Sequence, residues 1–295
     1  MKGIKDLVGK FDEETLSQKT SLCEKWLNKF YNFVLNHVSS PEVKKRMQHV
    51  YESLTIYITE QGKTRVPRYY NGEDYSFKMP YNGGVYFTEI CETKMGEDNH
   101  RYTYIIPAVA VASNLNQPKT FIHEISHAFS SAMKYLDEEG GTYKCGFHVS
   151  QISNDEFKAV SGDFLNEGMT EAVTKLFLVE NFDELKQDFP AIKNPESNGA
   201  YKSKYAMYEM LDGGNNKLLM DAYFGGVEEY QRFEKHFDEL MKDEGITFKE
   251  LNKLCFSTYT YEGENSDLAR LNKYANIYRE RYKQFSMQED IEMDM

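Results

Sequence analysis

The residues best placed to do chemistry lie in Phe121-Ile122-His123-Glu124-Ile125-Ser126-His127-Ala128-Phe129, an H-E-x-x-H pattern inside an apolar run. On a helix each residue advances about 100°, so His123 and His127 stand roughly 40° apart, one turn along. Two imidazoles so placed can reach one Zn2+, which takes histidine nitrogen at about 2.0–2.1 Å. Glu124 falls beside the pair, where a base for metal-activated water is needed. Phe121, Ile125, Ala128, Phe129, Ala132, Met133 and Leu136 centre on the opposite side, so the helix is read as running to about Tyr135 with an apolar back and a His-Glu-His front.

A second stretch has the same layout. In Leu165-Asn166-Glu167-Gly168-Met169-Thr170-Glu171, the two glutamates are one turn apart, and Leu165, Met169, Ala172, Val173, Leu176 and Val179 centre roughly opposite them. A catalytic zinc needs three protein ligands and an open position, and two histidines with one glutamate form a recurrent set. Glu167 completes that set. Glu171 is spaced to accept the second N–H of a ligand histidine, fixing its tautomer. Gly168 costs roughly 1 kcal/mol relative to Ala in a helix interior, a loss that a closely packed partner helix would explain.

Together, H-E-x-x-H and the downstream N-E-x-x-T-E resemble the gluzincin metallopeptidases, the thermolysin-like group of zincins. The likeness covers the stretch from about 118 to 180. It implies zinc held by His123, His127 and Glu167, Glu124 as general base and Glu171 behind a histidine. It also implies peptide-bond hydrolysis of a peptide or protein substrate, with a strand shortly before the active helix (here Tyr102 to Ile106) holding substrate by β-addition. Two features depart from the thermolysin pattern. The spacing from His127 to Glu167 is longer, with a hairpin around Cys145-Gly146-Phe147-His148 in the extra length. That spacing is nearer to the lethal-factor-like and Pro-Pro-cleaving peptidases, but where those carry a catalytic Tyr this chain has Val160. The oxyanion donor must come from elsewhere. Tyr201 and Tyr205, on a tyrosine stripe with Tyr208, are favoured for it, with His148 and His236 as further candidates.

The surrounding elements must supply the frame. Helical periodicity fills about 11–52, with Leu22, Trp26, Phe30, Phe33 and Val34 three and four apart and Ser39-Ser40-Pro41 dividing two helices. Leu54–Thr59, Val85–Cys91 and Tyr102–Ile106 read as strands, with a polar, turn-rich connection through Asn71-Gly72 and Asn82-Gly83-Gly84 and a hairpin loop at Met95–Asn99. Asn116-Gln117-Pro118 opens the active helix, and Thr142–Gln151 reads as another hairpin. Phe164–Val179 is a helix capped by Ser161 or Asp163. Helices follow at about 199–212, 215–223, 227–243, 247–255 and 266–285, and 288–295 reads as a frayed tail. The fold class expected is α+β: a zincin-like metallopeptidase with a small mixed sheet and active-site helix, followed by a helical C-terminal lobe. Its parts are an N-terminal helical segment (1–52), a sheet lobe with the H-E-x-x-H helix (53–160) and a helical lobe with the third ligand (161–295).

Composition narrows the function classes. With 40 % hydrophobic residues the chain carries enough apolar surface for a packed core. Its net charge of -12 argues against nucleic acid and anionic membranes, both of which call for a basic surface. The four cysteines, Cys23, Cys91, Cys145 and Cys255, form no C-x-x-C pair and read as ordinary thiols. No signal peptide or membrane-length apolar run is visible, so a cytoplasmic location is expected. Two rival readings remain at this level: a catalytically silent zincin-like binding protein, and a zinc hydrolase of a non-peptide substrate. The sequence leaves oligomeric state and substrate identity open.

Overall fold

The structure is a computed structural model describing residues 3–6, 11–59, 65–70, 73–78, 84–95, 101–112, 118–136, 140–153, 156–161, 163–196, 201–259 and 265–293. The turns read at 71–72, 82–83 and 96–99 and the cap at 116–117 lie outside these residues.

Helix α1 (Glu13–His37) starts where the Asp12 carboxylate accepts from Thr15 N at 2.7 Å. Helix α2 (Pro41–Ser53) starts at a Ser40 cap with Pro41 in its first turn. A mixed eight-stranded sheet follows the order β1 (Gly3–Asp6), β2 (Thr55–Thr59), β6 (Arg101–Ala112), β7 (Ser131–Leu136), β8 (Gly140–Cys145), β9 (His148–Ser153) and β10 (Glu156–Ser161). Strand β5 (Gly84–Met95) pairs antiparallel with β6 on the other side. β1, β2 and β6 run parallel, and β6 to β10 are antiparallel. β3 (Arg65–Tyr70) and β4 (Glu73–Lys78) form a separate hairpin. Because β1 joins β2, the first fifty residues are not purely helical, as the domain reading had them.

Three further readings need correction. The active helix, α3 (Pro118–Ser130), ends five residues short of Tyr135, and Ala132, Met133 and Leu136 lie in β7 instead of on a helix back. The reason is tertiary. Arg46 of α2 donates to the carbonyl oxygens of Phe129 and Ser131 at 3.0 and 2.8 Å, and the Ser131 hydroxyl turns back to the His127 carbonyl at 2.7 Å. Those bonds take up carbonyls that another helical turn would use, and β8 offers a ladder partner. Second, Tyr102 to Ile106 has one side already taken, since β5 pairs with it throughout; on its other side Tyr102 faces Leu136 of β7. Third, the last helix runs through the supposed frayed tail to Met293, with no Gly or Pro from Asn265 onward to stop it.

The C-terminal half is helical as read: α4 (Asp163–Glu180), α5 (Phe182–Asp188), α6 (Ser203–Leu211), α7 (Lys217–Phe224), α8 (Val227–Leu240), α9 (Phe248–Tyr259) and α10 (Asn265–Met293). One apolar core runs from Cys23 of α1 to Tyr278 of α10, so the expected segments share a single interior. Phe30 is a hub within it. Its ring meets Phe129 of α3 at 5.5 Å, Phe177 of α4 at 5.4 Å and Phe224 of α7 at 6.4 Å between centroids, mostly edge to face. Both chemistry-bearing helices are thereby braced from behind by one side chain. Among the described residues, no helix is long and apolar enough to cross a membrane.

Candidate metal centre

The two loaded helices pack with their fronts together. His123 Nε2 and His127 Nε2 lie 3.1 Å apart, and the Glu167 carboxylate closes a triangle with Oε2 at 3.4 Å from His123 and Oε1 at 3.4 Å from His127. A tetrahedral ion with bonds of about 2.0–2.1 Å has ligand–ligand edges of about 3.3–3.4 Å. The contacts of 3.1 and 3.4 Å are near that size, the two histidines meeting different oxygens of Glu167, and among the described residues these three form the one His/Cys/Asp/Glu group whose ligand atoms all lie within 4.8 Å of one another. Glu124, next along α3, is buried at 8 % exposure, and its charge acts on His123.

Each imidazole turns Nε2 to the centre and Nδ1 to a partner. His123 Nδ1 faces Glu171 Oε1 at 3.2 Å, the placement read from the one-turn spacing of the glutamates. His127 Nδ1 faces the Cys145 sulfur at 3.8 Å. Nothing in the cysteine spacing marked that residue. Cys145 reaches the histidine through tertiary structure alone, at the end of β8.

The supports are built from small and buried polar groups. Asn166 Oδ1 accepts from Phe147 N at 3.2 Å, tying the start of α4 to the β8–β9 turn. The Thr170 hydroxyl donates to the Asn166 carbonyl at 2.8 Å and accepts from the buried Tyr223 hydroxyl at 2.6 Å. Ser203 of α6 lies directly against Gly168, so closely that a Cβ there would overlap its hydroxyl. The glycine between Glu167 and Met169 is thus explained by a packed helix, as the sequence suggested.

Charge in the cluster is strongly coupled. Burial by itself would depress the His123 pKa, but the Glu167 and Glu171 carboxylates outweigh it and hold it at about 9. His127 is likewise raised against burial by Cys145 and Glu167. Burial pushes Glu167 upward, yet the two imidazoles win and hold its pKa far below the carboxylate range. A centre that favours added positive charge to this degree also suits a divalent cation.

The proposed oxyanion donors are placed less favourably. Tyr205 is 51 % exposed, with its ring beside Lys175 and Lys204. Lys175 stands eight residues beyond Glu167 on α4, about 12 Å of helix rise away. Tyr208 also lies under Lys175, at 4.4 Å. Tyr201 is half-buried, two residues before the Ser203 that meets Gly168. His148 bonds Ser150 at 2.7 Å within the hairpin, and His236 lies against Tyr282 and Phe285 of α10.

Comparison with protein-family models, with curated proteins and with solved structures finds no match to this chain.

Proposed function

We propose that this chain is a zinc-dependent peptidase of zincin-like fold, hydrolysing peptide bonds by metal-activated water. The observation that carries the reading is the His123–His127–Glu167 triangle with edges of 3.1 and 3.4 Å, together with Glu171 behind His123. When bound, zinc would supply Lewis acidity that brings the pKa of water towards neutrality. The chain's own groups do the rest. His123, His127 and Glu167 hold the ion, and Glu171 keeps His123 in the tautomer that exposes Nε2. Glu124, buried beside the centre, takes the water proton and returns it to the leaving amine. Tyr201 or Tyr205, which flank the Ser203 that packs on the Glu167 turn, is the proposed oxyanion donor.

The strand read in the sequence for substrate and its partner β5 lie beside α3, with β3 also packed against β5, and an extended peptide would add beside this pair through backbone hydrogen bonds.

The test combines metal analysis with turnover. Wild type is expected to hold one zinc per chain and to cleave members of a peptide library. Glu124→Gln should keep the metal and lose cleavage by several orders of magnitude. Glu167→Ala should lose the metal. Full zinc without cleavage of any peptide would leave a binding protein or a hydrolase of another substrate. Undiminished zinc in Glu167→Ala would remove the ligand assignment.

A further inference from the structure

The two histidines of the centre are supported unequally: one backs onto a carboxylate, the other onto a thiol. We propose that Cys145 is a positioning residue for His127, accepting its Nδ1–H and so presenting Nε2 to the metal. The proposal rests on the zinc reading above and concerns how that centre is held.

The geometry is specific and rigid. Cys145 Sγ lies 3.8 Å from His127 Nδ1, within hydrogen-bond reach for sulfur. The Ser130 and Ser131 hydroxyls donate to the His127 carbonyl at 3.1 and 2.7 Å, so both are committed at the base of the same residue. They also lie 3.9 and 3.7 Å from Sγ, enclosing it in polar contacts. The thiol is 6 % exposed and cannot swing away into solvent.

Its backbone is pinned on both sides. Before it, the fully buried Lys144 donates to the carbonyls of Tyr223 and Gly225 at 2.9 and 3.0 Å. After it, Gly146 has φ +56° and its N–H bonds the Ser130 carbonyl at 3.0 Å. Phe147 then buries its ring against Tyr223, Phe233 and Phe248. Gly146 is confined as well as twisted: a Cβ there would overlap Asn166 Oδ1, the acceptor for Phe147 N. The hairpin in the long His127–Glu167 spacing is thus locked to the start of α4 and to the end of α3 together. Its first strand ends in the sulfur that touches the ligand.

A sulfur acceptor is softer and weaker than a carboxylate. The second ligand ring is then held chiefly by the fixed position of its partner, and any change to that sulfur reaches the centre directly.

Zinc affinity should be measured by competition with a chromophoric chelator for wild type, Cys145→Ala, Cys145→Ser and Cys255→Ala. Loss of a partner behind a ligand histidine typically costs about 10–100-fold in metal affinity, and that is the expected loss in Cys145→Ala. Cys145→Ser restores an oxygen acceptor and should recover part of it. Cys255→Ala, at a buried cysteine of α9 (1 % exposed), should bind as wild type. Melting of the zinc-free proteins checks that each variant folds. Affinity unchanged in Cys145→Ala, or lowered equally in Cys145→Ala and Cys145→Ser, would overturn the proposal. If wild type takes no zinc, the zinc reading itself fails. The His127 ring-nitrogen resonances of the zinc-free proteins then decide. A shift at Nδ1 in Cys145→Ala, absent in Cys255→Ala, supports the contact, and an unmoved Nδ1 overturns it.

Discussion

At the scale of single residues, the centre divides into what helical spacing places and what only the folded chain assembles. His123, His127, Glu167 and Glu171 sit at one-turn intervals, so their shared faces follow from 100° per residue. The structure brings all four together, with Glu171 Oε1 3.2 Å from His123 Nδ1. That contact supports a specific expectation. Glu171→Gln keeps an oxygen acceptor of the same length but removes the negative charge that favours a cation nearby. Zinc affinity should fall by about 10-fold, near the lower end for such partners, while Glu171→Ala should fall by up to about 100-fold. A chelator competition titration of both variants checks the order, and equal affinities would show that His123 does not depend on the carboxylate. Cys145 was not legible in this way. Its neighbourhood depends on a turn with positive φ at Gly146 and on strand pairing between β7 and β8, neither of which leaves a periodic mark in the chain. Tyr205 shows the converse limit. A stripe of tyrosines at helical spacing gives a shared face, but not which neighbour that face meets, and here it meets Lys175 and Lys204.

At the scale of elements, boundaries were lost where distant side chains decide them. The apolar positions of α3 continue past Ser130 in helical register, yet the chain turns into β7 because Arg46, more than eighty positions earlier, bonds the carbonyls of Phe129 and Ser131. Propensity and periodicity are local, and this stop signal is not. Gly168 shows the opposite case, a local anomaly that correctly announced a tertiary contact. In an open helix Gly168→Ala would stabilise by roughly 1 kcal/mol through propensity. Against Ser203, the added methyl must displace a hydroxyl, its Cβ and the α6 backbone behind them. Overpacking of this kind costs typically about 1–3 kcal/mol. Gly168→Ala is therefore expected to destabilise the protein, by up to about 2 kcal/mol in urea denaturation once the propensity gain is subtracted. Ser203→Gly in the same chain should recover part of the loss, giving a non-additive cycle. A stabilised Gly168→Ala variant would mean that α6 moves aside freely and does not brace the Glu167 turn.

At the scale of the whole molecule, the broad class was legible and the unity of the chain was not. Strand-like runs before residue 112 and unbroken helical periodicity after 203 do yield an α+β fold. The single core, by contrast, depends on buried contacts such as those of Phe30, and beside it lies a buried lysine that no composition count would place inside. That lysine is Lys144. It is fully buried, its ammonium hydrogen-bonded to the carbonyls of Tyr223 and Gly225 at the end of α7. Burial drives its pKa well below the ordinary lysine value, the Arg46 charge adds to that, and Cys145 and Glu229 oppose it only in part. In the unfolded chain the same lysine titrates near 10.4. Between the lowered folded value and the unfolded one, the unfolded state binds more protons, so stability rises with pH across that window. The penalty for a buried ammonium is fully present below the folded pKa and disappears as pH passes the unfolded one. Lys144→Met removes the titrating group while leaving the two carbonyls without their donor, a loss that does not itself vary with pH. The stability difference between wild type and Lys144→Met, from urea titrations at matched ionic strength, should therefore move in favour of wild type as pH rises towards 10. A flat difference over that range would show that the carbonyl dipoles at the end of α7 offset the burial and hold the ammonium charged, making Lys144 a cap that ties the β8 strand to α7 at every pH.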